Sequence, residues 1–380
     1  MKIIKTSILF VLFILIVTTI SNAQDYNIQL KIVGLDYDTA VIAFMSEQNN
    51  DDEIEDMAII SNGQLNYKFT SPGLHVGVIV PFSLIHKFEG GNKFDLPSSR
   101  IRFFINSGDI IKIDAVVKDQ TVTYKTSGNN LSAQLAEHAD MLHNSGLYHD
   151  RIEFEYQFYK KNQTQWTKDD WSQYLEKRNQ YNRLYTEKSE KFISEHPHYE
   201  YSPRLILEIN DKLKATTLYE QLTAESKNSH FGKVLGNMIN GWAITSTGVL
   251  FPDFSAKTLT GKDFNLNDYK GKYVLLDFWG SWCAPCINEI PELKKLKTEF
   301  DEKLVIVGMI CNDSKQKISK TAEKYKIDWV QLFDEENAFP DRYGIRAYPT
   351  KVLIDEKGFV IKSFDYTSEQ LFTELRELLK

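Results

Sequence analysis

The spacing of apolar residues changes twice along the chain. Up to about residue 126, apolar and polar residues alternate in short runs, as in Asn27-Ile28-Gln29-Leu30-Lys31-Ile32-Val33, and further runs cover 39–44, 64–69, 75–80, 101–105 and 110–117. A period of two puts every second side chain on one face of a strand. Ser61-Asn62-Gly63, Ser71-Pro72-Gly73 and Asn106-Ser107-Gly108-Asp109 punctuate the runs as turns, so residues 24–126 are predicted to form an antiparallel all-β sandwich or barrel. From about Asn129 the period lengthens to three and four. Trp171, Tyr174, Leu175, Tyr181, Leu184, Tyr185 and Phe192 make one stripe along a long helix, which must end near His196-Pro197 because proline cannot continue it. At that spacing the aromatic residues are expected to be core packing. Shorter helices are predicted over 203–213, 217–226 and 232–239, so that 127–245 reads as a helical connector, and the small, polar stretch 241–248 reads as a linker.

Beyond the linker the pattern becomes strand, helix, strand. Strands are expected at 273–278, 304–311, 329–333, 350–354 and 359–364, and helices at 283–300, 315–325 and 368–379. Strands separated by crossover helices imply an α/β sheet covered on both faces. The chain is thus multidomain: an N-terminal segment 1–23, an all-β domain 24–126, a helical connector 127–245 and an α/β domain 246–380.

Residues 1–23 combine Lys2 and Lys5, an apolar run over 8–17 and the small-residue end Ser21-Asn22-Ala23. That order is a secretory signal peptide, with cleavage expected after Ala23 and a periplasmic mature chain. An uncleaved anchor is the alternative, although 7–20 is shorter than the roughly 20 residues that a spanning helix needs. The balance of 45 basic against 52 acidic residues offers no basic excess for phosphate, which argues against nucleic acid as a partner. Three cysteines in 380 residues cannot be a disulfide scaffold, so their role is local.

Two of them, in Cys283-Ala284-Pro285-Cys286, sit where an apolar strand gives way to a helix. A cysteine at a helix N-terminus faces unpaired backbone N–H groups and the positive end of the dipole, which favour its thiolate. Two intervening residues in a first helical turn bring both sulfurs within bonding reach. Cys283 is expected to be the exposed nucleophile, and Cys286, one turn in, the buried resolving thiol. A zinc knuckle lacks further ligands, because all eight histidines precede residue 231 and Cys311 is alone. A static structural disulfide closing so small a ring would constrain little of the unfolded chain. A peroxidatic site would need proline and threonine or serine where Leu276 and Gly280 stand.

Over residues 248–380 the sequence resembles the thioredoxin superfamily, and specifically its secreted TlpA/ResA-like branch of thiol-disulfide oxidoreductases. The segment from Tyr273 through Asp277 and Trp282 to Cys286 is similar to that family's strand and WCxPC signature. Pro291 falls at its helix kink, Asp341 to Thr350 resembles its cis-proline segment, and Phe251 to Gly271 resembles the extension typical of the branch. The resemblance implies that Cys283 and Cys286 form a redox-active disulfide and that no cofactor is required. It also implies that Pro349 is cis and, with Tyr348 and Trp282, presents a surface to extended substrates. Asp277, buried in its strand, would accept the proton of Cys286, and Glu289, one helical turn beyond, would lie near the thiols. Cys311 is expected to be a buried, inert thiol.

The implied activity is reduction of disulfides in periplasmic proteins, with electrons from a membrane-bound thiol donor and cytochrome c maturation as one role of such relatives. An oxidase or isomerase of the same fold, or a glycan- or peptide-binding protein with a redox-sensitive latch, are the alternatives. The N-terminal domain resembles an uncharacterised β domain that precedes TlpA-like domains in secreted bacterial proteins. With the helical region, it is assigned to partner choice or homodimerisation.

Overall fold

The computed structural model describes residues 26–47, 53–87, 93–94, 97–118, 120–148, 150–151, 154–155, 158, 166–365 and 369–380; the expected signal peptide lies outside them. The chain divides into two compact units, Met1–Tyr185 and Thr186–Lys380.

The first unit is β-rich, as the alternation predicts. Its strands are β1 (Ile28–Val33), β2 (Tyr37–Ser46), β3 (Glu53–Ser61), β4 (Gln64–Tyr67), β5 (His75–Pro81), a two-residue pair β6 (His86–Lys87) and β7 (Lys93–Phe94), β8 (Ile101–Ile105), β9 (Ile111–Lys118) and β10 (Thr121–Ser127). All but β6 and β7 share one sheet in the order β10-β9-β1-β4-β3-β2-β5-β8. Ile28, Leu30 and Ile32 of β1 and Ile111, Ile113 and Ala115 of β9 are buried on one face. These two strands run parallel, from Ile28↔Ile111 to Val33↔Val116, where antiparallel pairing was expected. Parallel neighbours need a long crossover, and here the intervening strands supply it.

Strand β3 escapes the sequence pattern because Ile54, Met57 and Ile59 are all exposed while Ile60 is buried, leaving no clean alternation. Helix α1 (Asn130–Asn144) starts where the Asn129 side chain accepts from Ser132 N, and the Ser132 hydroxyl in turn donates to Phe104 O of β8 at 2.7 Å. Helix α2 (Lys168–Glu195) stops ahead of Pro197 as predicted. Of its stripe, Tyr174, Tyr181 and Phe192 are buried, whereas Trp171 and Leu175 are exposed.

The second unit opens with α3 (Ser202–Ile206), α4 (Lys212–Gln221), α5 (Ala224–Asn228) and α6 (His230–Ile244). The helix expected over 203–213 is broken because Asp211 caps a new one, accepting from Lys214 N at 3.0 Å. The expected linker over 241–248 is corrected in its first half: α6 runs into it as far as Ile244, with Gly241 and Trp242 buried.

A short hairpin, β11 (Ser255–Lys257) and β12 (Asp263–Asn265), precedes the α/β part. There β13 (Tyr273–Trp279), β14 (Leu304–Ile310), β15 (Val330–Leu332), β16 (Thr350–Ile354) and β17 (Val360–Phe364) form a mixed sheet in the order β15-β14-β13-β16-β17. Strands β13, β14 and β15 are parallel, while β16 and β17 pair antiparallel. Four helices accompany it: α7 (Ala284–Glu299), α8 (Lys315–Lys324), α9 (Phe339–Tyr343) and α10 (Glu369–Leu378). Leu276 and Phe278 pack with Val307, Val352 and Tyr343 on one face, and Leu275 packs with Leu293, Ile306 and Leu371 on the other. Burial on both faces explains the unbroken apolar run of β13. Among the described residues, no helix is long and apolar enough to cross a membrane.

Candidate redox site

Strand β13, central in its sheet, ends at Trp279, and four residues later Cys283 caps α7. Its Sγ accepts from Cys286 N at 3.2 Å, so the sulfur itself occupies the anion-favouring position at the helix mouth. Pro285 sits in the first turn, where its missing N–H costs no hydrogen bond. Cys283 and Cys286 are joined as a disulfide with their Cα atoms 5.3 Å apart. Pro291 lies inside α7, at the place where a kink was expected.

The expected exposure of Cys283 is corrected. In this oxidised form Cys283 and Cys286 are both 4% exposed. The bonded sulfurs pack in a cluster with Trp279, Ile310 and Ile318, flanked by Tyr348, and Trp282 takes the outward position at 51% exposure. Trp282 meets the Tyr348 ring edge to face, with centroids 5.1 Å apart, and its Nε1 donates to Cys311 O at 3.3 Å. The Tyr348–Pro349 peptide bond is cis. Trp282, Tyr348 and Pro349 are therefore gathered on one side of the cysteine pair. Asp313 accepts from Ser281 N at 2.6 Å and ties the loop after β14 to the approach of Cys283.

Asp277 and Glu289 are both buried, at 4% and 6% exposure. Sequence reasoning missed the group that joins them. Lys351 of β16 is 1% exposed, and its Nζ lies 2.5 Å from Glu289 Oε2 and 3.1 Å from Asp277 Oδ1. Lys351 stands directly across from Asp277 in the β13/β16 register. The ammonium acts on Asp277 through charge and, at that distance, through a hydrogen bond of imperfect geometry. Burial raises the Asp277 carboxyl above the usual carboxylate range; Lys351 opposes that rise without cancelling it, and Glu289 adds to it. For Lys351, burial acts downward, but the two carboxylates outweigh it and hold the ammonium above its ordinary value. Lys351 thus stands between the two carboxyl groups as their shared counter-ion, and Asp277 is the member whose charged form burial disfavours. The legible signal was a lysine in the otherwise apolar run Val352-Leu353-Ile354, two residues after Pro349.

Cys311 is a free thiol with no exposed surface. Burial pushes it far above its usual value, and the Tyr348 hydroxyl opposes this only in part. A thiol held neutral in this way is a poor nucleophile.

Residues 247–363 match the AhpC/TSA family. Over 112 residues the chain is 39% identical to the thioredoxin-like protein YneN of Bacillus subtilis, a match spanning 29% of this chain and 65% of that protein. It is 32% identical over 130 residues to the thiol-disulfide oxidoreductase ResA of Geobacillus thermodenitrificans, spanning 34% of this chain and 75% of that one. The crystallised thioredoxin domain of a Bacteroides vulgatus thiol-disulfide oxidoreductase is 29% identical, and the match covers 36% of this chain and 99% of that domain at a TM-score of 0.33.

Proposed function

Because the chain belongs to the ResA-like thiol-disulfide oxidoreductases of the thioredoxin superfamily, we propose that it reduces disulfides in partner proteins outside the cytoplasm. The observation that carries this reading is the Cys283–Cys286 pair in the first turn of α7, with Tyr348 of the cis peptide packed against it. In the dithiol form, the Cys283 thiolate attacks a client disulfide. A mixed disulfide forms, and one client sulfur leaves as a thiolate and takes a proton. Cys286 passes its proton to Asp277 and attacks Cys283 Sγ, which releases the second client thiolate and re-forms the Cys283–Cys286 bond. Two electrons have then moved from the enzyme to the client. Glu289 and Lys351 keep the buried charge around Asp277 balanced while that proton moves.

Trp282, Tyr348 and Pro349 supply the surface along which an extended client segment lies, with backbone groups beside the cis bond available for strand-like hydrogen bonds. The signal-like order of residues 1–23 supports a periplasmic location. Such a compartment is kept oxidising, so turnover requires a membrane-bound thiol donor. Cytochrome c precursors, whose paired cysteines must be reduced before haem attachment, are one client class that fits this chemistry.

The test is trapping with Cys286→Ala in the full-length protein. Without the resolving thiol, Cys283 should remain covalently joined to its clients, and reduced wild-type protein should reduce insulin. If Cys286→Ala forms no mixed disulfide with any oxidised protein, or if the couple equilibrates with glutathione as a strong oxidant, reduction is the wrong reading.

A further inference from the structure

The helices ahead of the α/β sheet grip the segment that leads into the cis proline. On α6, Gly241 lies so close to the end of α9 that a Cβ there would stand 2.2 Å from Gly344 N and 2.4 Å from Tyr343 C. Gly344 caps α9 at φ +65°, and a Cβ on it would stand 2.4 Å from Trp242 Cδ1. Two glycines facing each other thus let a helix and a helix cap meet backbone to backbone. Across this contact Trp242 Nε1 donates to Gly344 O at 2.7 Å, a buried bond between residues 102 positions apart. Two residues on, Arg346 Nη1 donates to Ile209 O, in the turn between α3 and α4, at 3.2 Å. Its guanidinium also lies 5.8 Å from the Trp242 ring centroid. Ile345, between these anchors, is buried in the sheet's core.

Every residue from Gly344 to Arg346 is therefore held, and the next three are Ala347, Tyr348 and Pro349. Beside the loop lies a cavity of about 380 Å³ lined by Lys212, Trp242, Thr245, Arg346, Ala347 and Thr350 among others. The segment is thus packed tightly at Gly344 and Ile345, while from Arg346 to Thr350 it borders open space, so there the side-chain anchors matter most.

We propose that the helices from Ser202 to Ile244 are a positioning element for client binding, in which Trp242 and Arg346 clamp the cis-proline loop against the redox site. This rests on the reading above, in which the backbone around Pro349 receives the client. Trp242 and Arg346 touch neither client nor sulfur; they are positioning residues, and their loss should weaken client binding while leaving the sulfur chemistry intact.

The experiment uses full-length Trp242→Phe, which keeps a ring but loses the N–H, and Arg346→Lys, which keeps the charge but loses the fork. Each is measured for insulin reduction, for iodoacetamide alkylation of Cys283 in the dithiol form, and for hydrogen exchange at the amides of Arg346 to Tyr348. The expected result is a KM for insulin raised about tenfold at near-constant kcat, the effect of losing about one hydrogen bond's worth of preorganisation. Loop exchange should be about tenfold faster, with alkylation within about twofold of wild type. Unchanged loop exchange in both variants overturns the clamp whatever the activity. Faster exchange with an unchanged KM overturns its role in client binding. Inactivity of the wild-type dithiol towards insulin would instead defeat the reductase reading, and the exchange measurement would still judge the clamp.

Discussion

Lysine 351 is the most demanding place to test the electrostatics of the site. Lys351→Met keeps an unbranched side chain in the same channel but removes the ammonium that faces both Asp277 and Glu289. Two carboxyl groups are then left together in the interior, at 4% and 6% exposure. Removing one partner of a buried ion pair typically costs about 3–5 kcal/mol. At about 1.4 kcal/mol per factor of ten, that cost equals a local opening equilibrium shifted by about a hundredfold or more. The penalty belongs to the ionised form and should shrink on acidification. Because the chain is multidomain, a global unfolding midpoint would mix several transitions, whereas hydrogen exchange at the β13 and β16 amides reports the local opening of this sheet. At pH 8, those amides in Lys351→Met should exchange about a hundredfold faster than in wild type, and at pH 5 the excess should fall at least tenfold. Adding Asp277→Asn should recover most of the loss, leaving a single carboxyl without an acidic neighbour. An acceleration under about fivefold at pH 8, or one equal at both pH values, would show that the ammonium does not balance the two carboxylates and would refute the reasoning.

The same cluster sets a pH dependence of stability. Burial holds the folded Asp277 carboxyl above its unfolded value, so the native state binds that proton more tightly. The resulting stability is fully present below the unfolded pKa, near 4, and is lost as pH rises through the folded one. Asp277→Asn should therefore raise the melting temperature of the C-terminal transition at pH 8, with the gain closing towards pH 4, while slowing resolution of the mixed disulfide; a gain independent of pH would contradict the assignment. Cys311→Ser should leave insulin reduction within about twofold, since a fully buried thiol pushed far up in pKa takes no part in exchange. A tenfold loss in a folded variant would make Cys311 a third redox group.

Much of the site is legible along the chain because its signals are local. The unbroken apolar run of Tyr273–Trp279 marks a strand covered on both faces, and the Cys-Ala-Pro-Cys sequence after it marks a helix start with a sulfur at its mouth. A proline ahead of Thr350–Ile354 marks the entry to another strand. Each of these is a matter of side-chain period, capping or a missing N–H, which act over one or two turns of chain. The breaks in the helical region were less legible. Asp211 and Ser229 cap new helices only because the preceding segments turn where they do, and α6 continues through small residues that look like a linker because the end of α9 covers them.

Composition and periodicity by themselves determined that the chain holds a β-rich region, a helical region and an α/β region, and that its chemistry lies in one dithiol motif. Only the tertiary structure decided that Glu289 and Asp277 share Lys351, that Cys283 is covered in the disulfide form, and that Trp242 reaches Gly344. The physical reason is separation. Lys351 and Glu289 are 62 residues apart, and Trp242 and Gly344 are 102 apart. Whether a buried charge finds its counter-ion, or two glycines find each other, depends on which elements become neighbours, and no pattern confined to a few turns of chain contains that information.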